Sequence, residues 1–215
     1  IIMEDYIKDL VSIIIPTYNR YELLNHSIKS VLNNSYKNIE IIVINDCSTD
    51  QRYYDGILEK YEKTKVIHLP INQREKYKVS SAQGMTKNYG LEIARGEWVA
   101  FLDDDDFYNP LKIEIQLRFM TSNKALFSST NMNLINHNSI SIDILDTNII
   151  RSYFQKNKVE KILTKEIIEK DNKINNSTVI IHKSIINKVG KFNPIKYEDW
   201  DYWKRSLLYS NCYYI

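Results

Sequence analysis

Four consecutive acids, Asp103, Asp104, Asp105 and Asp106, end the apolar run Trp98-Val99-Ala100-Phe101-Leu102. Like charges side by side repel one another, which costs free energy unless a cation or hydrogen-bond donors offset it. At the C-terminal end of a buried strand they face the crevice of an open α/β sheet, where ligands bind. Carboxylates there suit a hard divalent metal, and Mg²⁺ commonly sits between one or two carboxylates and a substrate's phosphates. Without a ligand, the same run reads as a solvated acidic loop that caps the following helix.

Three further clusters could carry chemistry. Pro16-Thr17-Tyr18-Asn19 ends a β-branched run. It can present an aromatic face and backbone groups to a flat ring such as a base, although Tyr at a strand end also serves plain packing. Asp46 directly follows a second buried run and can accept hydrogen bonds from ring N–H or ribose hydroxyls. Helix capping there needs only Ser48 or Asp50, which leaves Asp46 without an evident structural task. Glu198, Asp199 and Asp201 open a helix, where the macrodipole favours anions, and one of them could point into the cleft as a general base. The four histidines have no metal-ligand spacing, and His182 is expected to be structural. Tyr197 and Trp200 suit an acceptor platform or the core, and Arg205 suits a surface pair. Arg74, Lys76 and Lys78 read as a solvated loop.

These clusters need a sheet to position them. Strands are expected at Val11–Ile15, Glu40–Asn45, Lys65–Leu69 and Trp98–Leu102. Helices are expected at Tyr21–Asn33, Gln51–Tyr61 and Ala82–Ala94 (ended by Gly96), and from Pro110 to about Ser122, with Pro110 in the first turn. The segment Asn72–Lys78 reads as polar loop. Strands alternating with helices at this spacing indicate βαβ units and a parallel sheet. Further along, strands are expected at Ala125–Thr130, Ser139–Leu145, Thr178–His182 and from Cys212. Helices are expected within Arg151–Lys170 and at Ser184–Val189 and Trp200–Tyr209. The chain stops inside the last strand, which suggests a catalytic core cut from a longer protein.

The 215 residues suit one α/β domain, and 43% hydrophobic content suffices for a sizeable core. A net charge of +2 is too balanced to indicate a nucleic-acid partner. Two cysteines, Cys47 and Cys212, give neither a disulfide framework nor metal spacing, so a reducing cytosol is the expected compartment. No apolar run approaches the roughly 20 residues of a membrane span, and peripheral attachment to the inner face of the cytoplasmic membrane stays open. Residues 1–10 carry no apolar signal-peptide core.

Taken in order, several strings resemble a family 2 glycosyltransferase with the GT-A fold. They are Val11 to Arg20 (VSIIIPTYNR), Ile44 to Asp50 (INDCSTD), Lys87-Asn88-Tyr89-Gly90 with Ala94 to Trp98, Phe101 to Asp106, Gly190-Lys191-Phe192 and Tyr197 to Trp200. The resemblance runs from about Leu10 to Leu208. It implies a Rossmann-like, mostly parallel central sheet flanked by helices. It also implies a single catalytic domain over residues 1–215, with a nucleotide-binding half at about 10–106 and an acceptor-side half at about 107–215. The aspartate-any-aspartate motif falls on Asp103-Asp104-Asp105. By resemblance Asp105 binds a divalent metal, Mn²⁺ or Mg²⁺, while Asp103 assists it or meets the ribose, and Asp104 lies in the nucleotide site. Pro16, Tyr18 and Asp46 match base-pocket positions, with Thr17 and Asn19 beside them. Lys87 matches a basic position near the pyrophosphate. Asp199 matches the catalytic base, and Glu198 orients it or touches the acceptor.

The implied reaction is inverting, metal-dependent transfer from a nucleotide sugar, UDP being the expected base carrier, to a saccharide or lipid-linked acceptor. A nucleotidyltransferase would want a glycine-rich phosphate loop after the first strand, and Pro16 to Arg20 contains no glycine. A non-catalytic nucleotide- or glycan-binding module is opposed by the joint presence of Asp103, Asp105 and Asp199.

Overall fold

A computed structural model describes residues 6–133 and 161–215. One sheet of eight strands runs in the order β3-β2-β1-β4-β7-β5-β8-β6. The strands are β1 (Ile7–Thr17), β2 (Ile39–Asn45), β3 (Thr64–His68), β4 (Gly96–Phe101), β5 (Phe127–Ser129), β6 (Lys161–Leu163), β7 (Ile180–His182) and β8 (Cys212–Tyr214). β3, β2, β1 and β4 are mutually parallel. β7 runs antiparallel to both β4 and β5, β8 is parallel to β5, and β6 is antiparallel to β8. Chain order reverses between β1 and β4, so the C-terminal ends of these two strands flank a natural ligand crevice. Thr17 and the acidic run stand at those two ends.

The strand cores are β-branched and buried on both faces, as parallel strands between helical layers require. Successive side chains alternate between the two faces. Val11, Ile13, Ile15, Ile41, Val43, Trp98 and Ala100 pack under α1 (Tyr21–Leu32), and a later helix joins them. Ile14, Ile42, Ile44, Val99 and Phe101 pack on the other face. The helices that follow are α2 (Gln73–Tyr77), α3 (Gln83–Ile93), α4 (Lys112–Asn123), α5 (Lys165–Lys170), α6 (Lys183–Val189) and α7 (Glu198–Ser206). α4 lies on the α1 face, and α3, α5, α6 and α7 cover the other. Gly90 lets α3 approach β1, because a Cβ there would lie 2.5 Å from Ile14 Cγ2. The Asn88 side chain clasps the backbone of Phe192, donating to its carbonyl at 3.0 Å and accepting from its N–H at 2.8 Å.

Several elements differ from the sequence reading. The helix expected over Gln51–Tyr61 is two 3-10 turns, Gln51–Tyr54 and Leu58–Lys60, with Gly56 at φ +75° between them. The supposed loop Asn72–Lys78 contains α2. Asn72 caps it by accepting from Arg74 N–H, and left-handed Lys78 ends it. Gly96 opens β4 instead of closing the preceding helix. Pro110 lies ahead of α4, in a turn whose carbonyl accepts from Ser35 N–H at 2.7 Å. Lys161–Leu163 is an edge strand where helix was expected. The strand expected at Ser139–Leu145, and the Arg151–Glu160 part of the expected helices, fall outside the described residues.

The α3–β1 contact yields a test. Ile14 is stiff at χ1, so its methyl cannot swing aside for an added Cβ. Overpacking costs about 1–3 kcal/mol, against a helix-propensity gain of about 1 kcal/mol for replacing Gly. Gly90→Ala is expected to lower the urea midpoint, and to cost little more when combined with Ile14→Ala. A full, additive penalty in the double variant would dispose of this contact as the cause.

Candidate functional site

Each carboxylate of the acidic run points to a different partner. Asp103 sits above Lys87, whose Nζ lies 3.3 Å from Asp103 Oδ1 and whose side chain is 1% exposed. That oxygen is buried, and no hydrogen bond of good geometry reaches it. Asp103 N–H donates to Ser177 Oγ at 3.0 Å. Asp104 turns back into the junction between β1 and α1, where it accepts from Thr17 Oγ1 at 2.8 Å and Arg20 Nη1 at 3.1 Å. Burial pushes its carboxyl up to about 6, with Thr17 and Arg20 pulling the other way. Asp105 is 40% exposed and accepts from the same Arg20 Nη1 at 2.6 Å. Asp106 accepts from the Ser177 hydroxyl, and burial raises its carboxyl above the ordinary range. The loop's backbone is pinned by Ser27, whose hydroxyl lies 3.0 Å and 2.7 Å from the carbonyls of Asp104 and Asp106.

The ends of β1 and β2 are tied together. Asp46 N–H donates to the Thr17 carbonyl at 2.9 Å. Asn19 adopts a left-handed backbone (φ 52°), and its side chain accepts from Thr49 N–H at 2.9 Å. Thr17 Oγ1 also meets Tyr53 Oη at 2.9 Å. Pro16 is paired in β1 opposite Ile44, and Tyr18 stands out into solvent, 41% exposed. Asp46 has the structural task that the sequence seemed to deny it. It accepts from Gln73 N–H at 2.8 Å and Asn72 Nδ2 at 3.1 Å, fixing the start of α2. Burial lifts its carboxyl to about 6, against the hydrogen bonds from Gln73 and Thr86.

The acceptor side is built by α7. Tyr197, left-handed at φ 59°, turns the chain into the helix. Glu198 is buried and accepts from Ser81 Oγ at 2.9 Å and Gly84 N–H at 3.3 Å, bracing α7 against the first turn of α3. Only glycine fits at 84, where a Cβ would lie 2.6 Å from Glu198 Cγ. Asp199 Oδ2 accepts from Asn172 Nδ2 at 3.2 Å. A cavity of about 630 Å³ is lined by Asp103, Glu198 and Asp199, with Ser81, Asn172 and Tyr197 among its other walls. Pro16, Thr17, Tyr18, Asn19, Asp46, Lys87, Asp104 and Asp105 lie outside that lining. Thus the β4 tip and the head of α7 share one space, while the positions matched to the base pocket cluster at the β1 and β2 ends.

Other side chains settle into structural roles. Trp200 Nε1 donates to the Ile168 carbonyl at 2.6 Å. Arg205 pairs with Asp201 and also donates to the carbonyls of Val189 and Lys191, closing the end of α6. His182 packs edge-on against Trp98. Sequence reasoning gave no part to Arg20, Ser177, Ser81 or Asn172. Their partners lie 27 to 117 residues away, so local pattern carries no trace of the pairing.

Among the described residues no group of three or more His, Cys, Asp and Glu is arranged to hold a metal by itself. A cation shared with substrate phosphates needs only one or two carboxylates. Asp103 and Asp105 supply hard oxygens of that kind, and the buried Asp103 Oδ1 without a hydrogen bond fits a ligand atom. Among the described residues no helix is long and apolar enough to cross a membrane.

Residues 12–170 match the profile described as Glycosyl transferase family 2. Over 211 residues the chain is 33% identical to an uncharacterized glycosyltransferase of Haemophilus influenzae, covering 94% of this chain and 76% of that protein. It is 38% identical over 123 residues to WfaP of Escherichia coli, named a UDP-Glc:alpha-D-GlcNAc-diphosphoundecaprenol beta-1,3-glucosyltransferase, covering 57% of this chain and 46% of WfaP. The crystal structure of Staphylococcus aureus TarS 1-349 in complex with UDP-GlcNAc superposes with a TM-score of 0.71 at 22% identity, covering 95% of this chain and 55% of that one. That likeness is one of fold, a GT-A sheet flanked by helices.

The buried Asp104 sets a pH dependence. Its carboxyl is raised from 3.8 to about 6, so the folded protein holds a proton that the unfolded chain releases between those values. The resulting stability is full below about pH 4 and is lost as pH rises through about 6. Asp104→Asn is expected to flatten the fall in Tm across that window, read by thermal melts at stepped pH. An unaltered slope would count against burial as the dominant effect.

Proposed function

Since this chain belongs to glycosyl transferase family 2, we propose that it moves a sugar from a nucleotide donor, a UDP-sugar, to a hydroxyl of a saccharide or lipid-linked acceptor, with inversion at the anomeric carbon. The observation that carries this reading is the shared cavity, with Asp103 at the β4 tip and Asp199 at the head of α7. The UDP-GlcNAc complex of TarS and the name of WfaP support UDP as the carrier and, for WfaP, a lipid-diphosphate sugar as the acceptor.

In this reading the donor's base lies against Pro16, Thr17, Tyr18, Asn19 and Asp46, at the ends of β1 and β2. Its diphosphate lies at the β4 tip. A divalent ion, Mn²⁺ or Mg²⁺, held by Asp105 and Asp103 would neutralise charge growing on the departing diphosphate. Lys87 serves that end of the site through Asp103, whose charge it balances from below. Asp104 braces the loop from behind through Thr17 and Arg20. Asp199 takes the proton of the acceptor hydroxyl as that oxygen attacks. Asn172 holds the Asp199 carboxylate, and Glu198 fixes the helix start through Ser81 and Gly84. Attack from the face opposite the leaving group inverts the anomeric centre, and one base suffices without a carboxylate nucleophile. The chain works as one catalytic domain in the cytoplasm, its nucleotide half at about 10–106 and its acceptor half at about 107–215, and a lipid-linked acceptor would bring it to the inner face of the cytoplasmic membrane.

Two variants test the assignment. Asp199→Asn is expected to bind UDP with Mn²⁺ as the parent does, while transfer from a UDP-sugar panel falls about 10²–10⁴-fold, the usual share of a general base. Transfer near the parent rate would remove Asp199 from that role. Asp105→Ala is expected to weaken Mn²⁺-dependent UDP binding by about tenfold or more, since even outer-sphere losses reach that size. Calorimetry with and without Mn²⁺ reads it, and equal affinities for the parent and Asp105→Ala in both conditions would reject the metal assignment.

A further inference from the structure

The side chain of Arg20 breaks two local rules. It occupies the N-cap position of α1, where Ser, Thr, Asp or Asn would accept a hydrogen bond from the first helical N–H groups, and it makes no side-chain cap. It also puts a cation beside the positive end of a helix. Departures of this kind from local preference gather at functional positions. The backbone of Arg20 is nonetheless firmly set, with its N–H donating to Tyr53 Oη at 2.8 Å and its carbonyl accepting from Leu24 N–H at 3.0 Å. What the side chain does instead of capping is bridge two acids, with one nitrogen, Nη1, serving Asp104 at 3.1 Å and Asp105 at 2.6 Å. Burial would make the guanidinium a weaker base, but Asp104 and Asp105 outweigh that and hold its proton more tightly.

The two halves of this bridge differ. The Asp104 side chain is 4% exposed and keeps a second partner in Thr17. Asp105 is 40% exposed, and among the described residues only Arg20 is seen to bond its carboxylate. The Asp105 arm is therefore a solvent-facing ion pair, cheap to break, while the Asp104 arm is built in.

We propose that Arg20 is the resident counter-cation of the acidic loop, occupying the Asp105 carboxylate in the absence of a divalent ion and releasing it when that ion binds. The inference rests on the reading of Asp105 as a metal ligand. Arg20 acts through Asp105 and is a positioning residue. It holds two of the four adjacent acids together before the ion arrives, and it competes with the ion for one of them. After release its guanidinium keeps the bond to Asp104, so the loop stays tied to the start of α1.

The test measures Mn²⁺ binding to the nucleotide-free protein by electron paramagnetic resonance, in the parent, Arg20→Met, Arg20→Lys and Asp105→Ala. Arg20→Met is expected to bind Mn²⁺ about fivefold more tightly, the scale of an exposed ion pair. Its metal-free Tm should fall, and Mn²⁺ should restore it. Arg20→Lys, a point charge that cannot bridge both acids as a guanidinium does, should fall between the two. A purely structural role would weaken Mn²⁺ binding in Arg20→Met or leave it unchanged, and either result overturns the proposal. If Arg20→Met does not fold, Mg²⁺ titration of the parent, followed at the Arg20 guanidinium NMR signals, must show them shift with saturation. Static signals overturn it equally. Asp105→Ala separates the two failures. If its Mn²⁺ affinity matches the parent's, the metal assignment itself is wrong. If its affinity drops while Arg20→Met shows no gain, only the role of Arg20 is wrong.

Discussion

Four carboxylates on adjacent residues repel one another, and the donors and cations around them offset that repulsion. Lys87 lies under Asp103, Arg20 spans Asp104 and Asp105, and the Ser177 hydroxyl meets Asp106. Two cations and two hydroxyls, counting Thr17 on Asp104, thus stand against four acids. The balance is incomplete where a ligand is wanted. Asp105 is open to solvent on one side, and the buried Asp103 Oδ1 has an ion-pair partner without a well-formed hydrogen bond. The acids that are fully satisfied hold the loop, and those that are not are the two that the proposed reading gives to the metal.

Helix α3 carries this arrangement across the molecule. One of its glycines, Gly90, lies against Ile14 of β1, and another, Gly84, against Glu198 of α7. Lys87, between them, reaches Asp103 at the tip of β4. Asn88 holds Phe192 just ahead of α7. The helix that balances the acidic loop is thereby the helix against which the proposed base is braced. A shift of α3 along its axis would disturb both the Lys87–Asp103 pair and the Glu198 brace, whereas α7 itself is held to α3 by the close Gly84–Glu198 contact.

The sequence showed the parallel half of the sheet well, because VSIII, EIIVIN and WVAFL are buried on both faces and punctuated by Pro, Gly or acids. It showed which residue types cluster at the strand ends. It misjudged Gln51–Tyr61, where Gly56 divides the segment into separate turns, and Asn72–Lys78, whose helix depends on the side chain of Asn72 and on contact with Asp46. Asp46 looked free of structural duty because that partner lies 27 residues on. The pairing of Arg20 with Asp105, of Ser81 with Glu198 and of Asn172 with Asp199 was hidden for the same reason. A hydrogen bond between distant side chains leaves no periodicity to read, and propensity speaks only to neighbours in the chain.

That same remoteness governs when the site can come into being. Asp103 N–H waits for Ser177, 74 residues later, and Glu198 must reach back 117 residues to Ser81. Closing such long intervals precedes any reward from the contacts, which delays their formation relative to local structure. During synthesis β1 to β4 leave the ribosome with Thr17, Arg20 and Lys87 already present for Asp104, Asp105 and Asp103, while Ser177 and Asp199 are not yet translated. A nascent chain of that length therefore carries the β4 acids without the carboxylate that the proposed mechanism uses as its base.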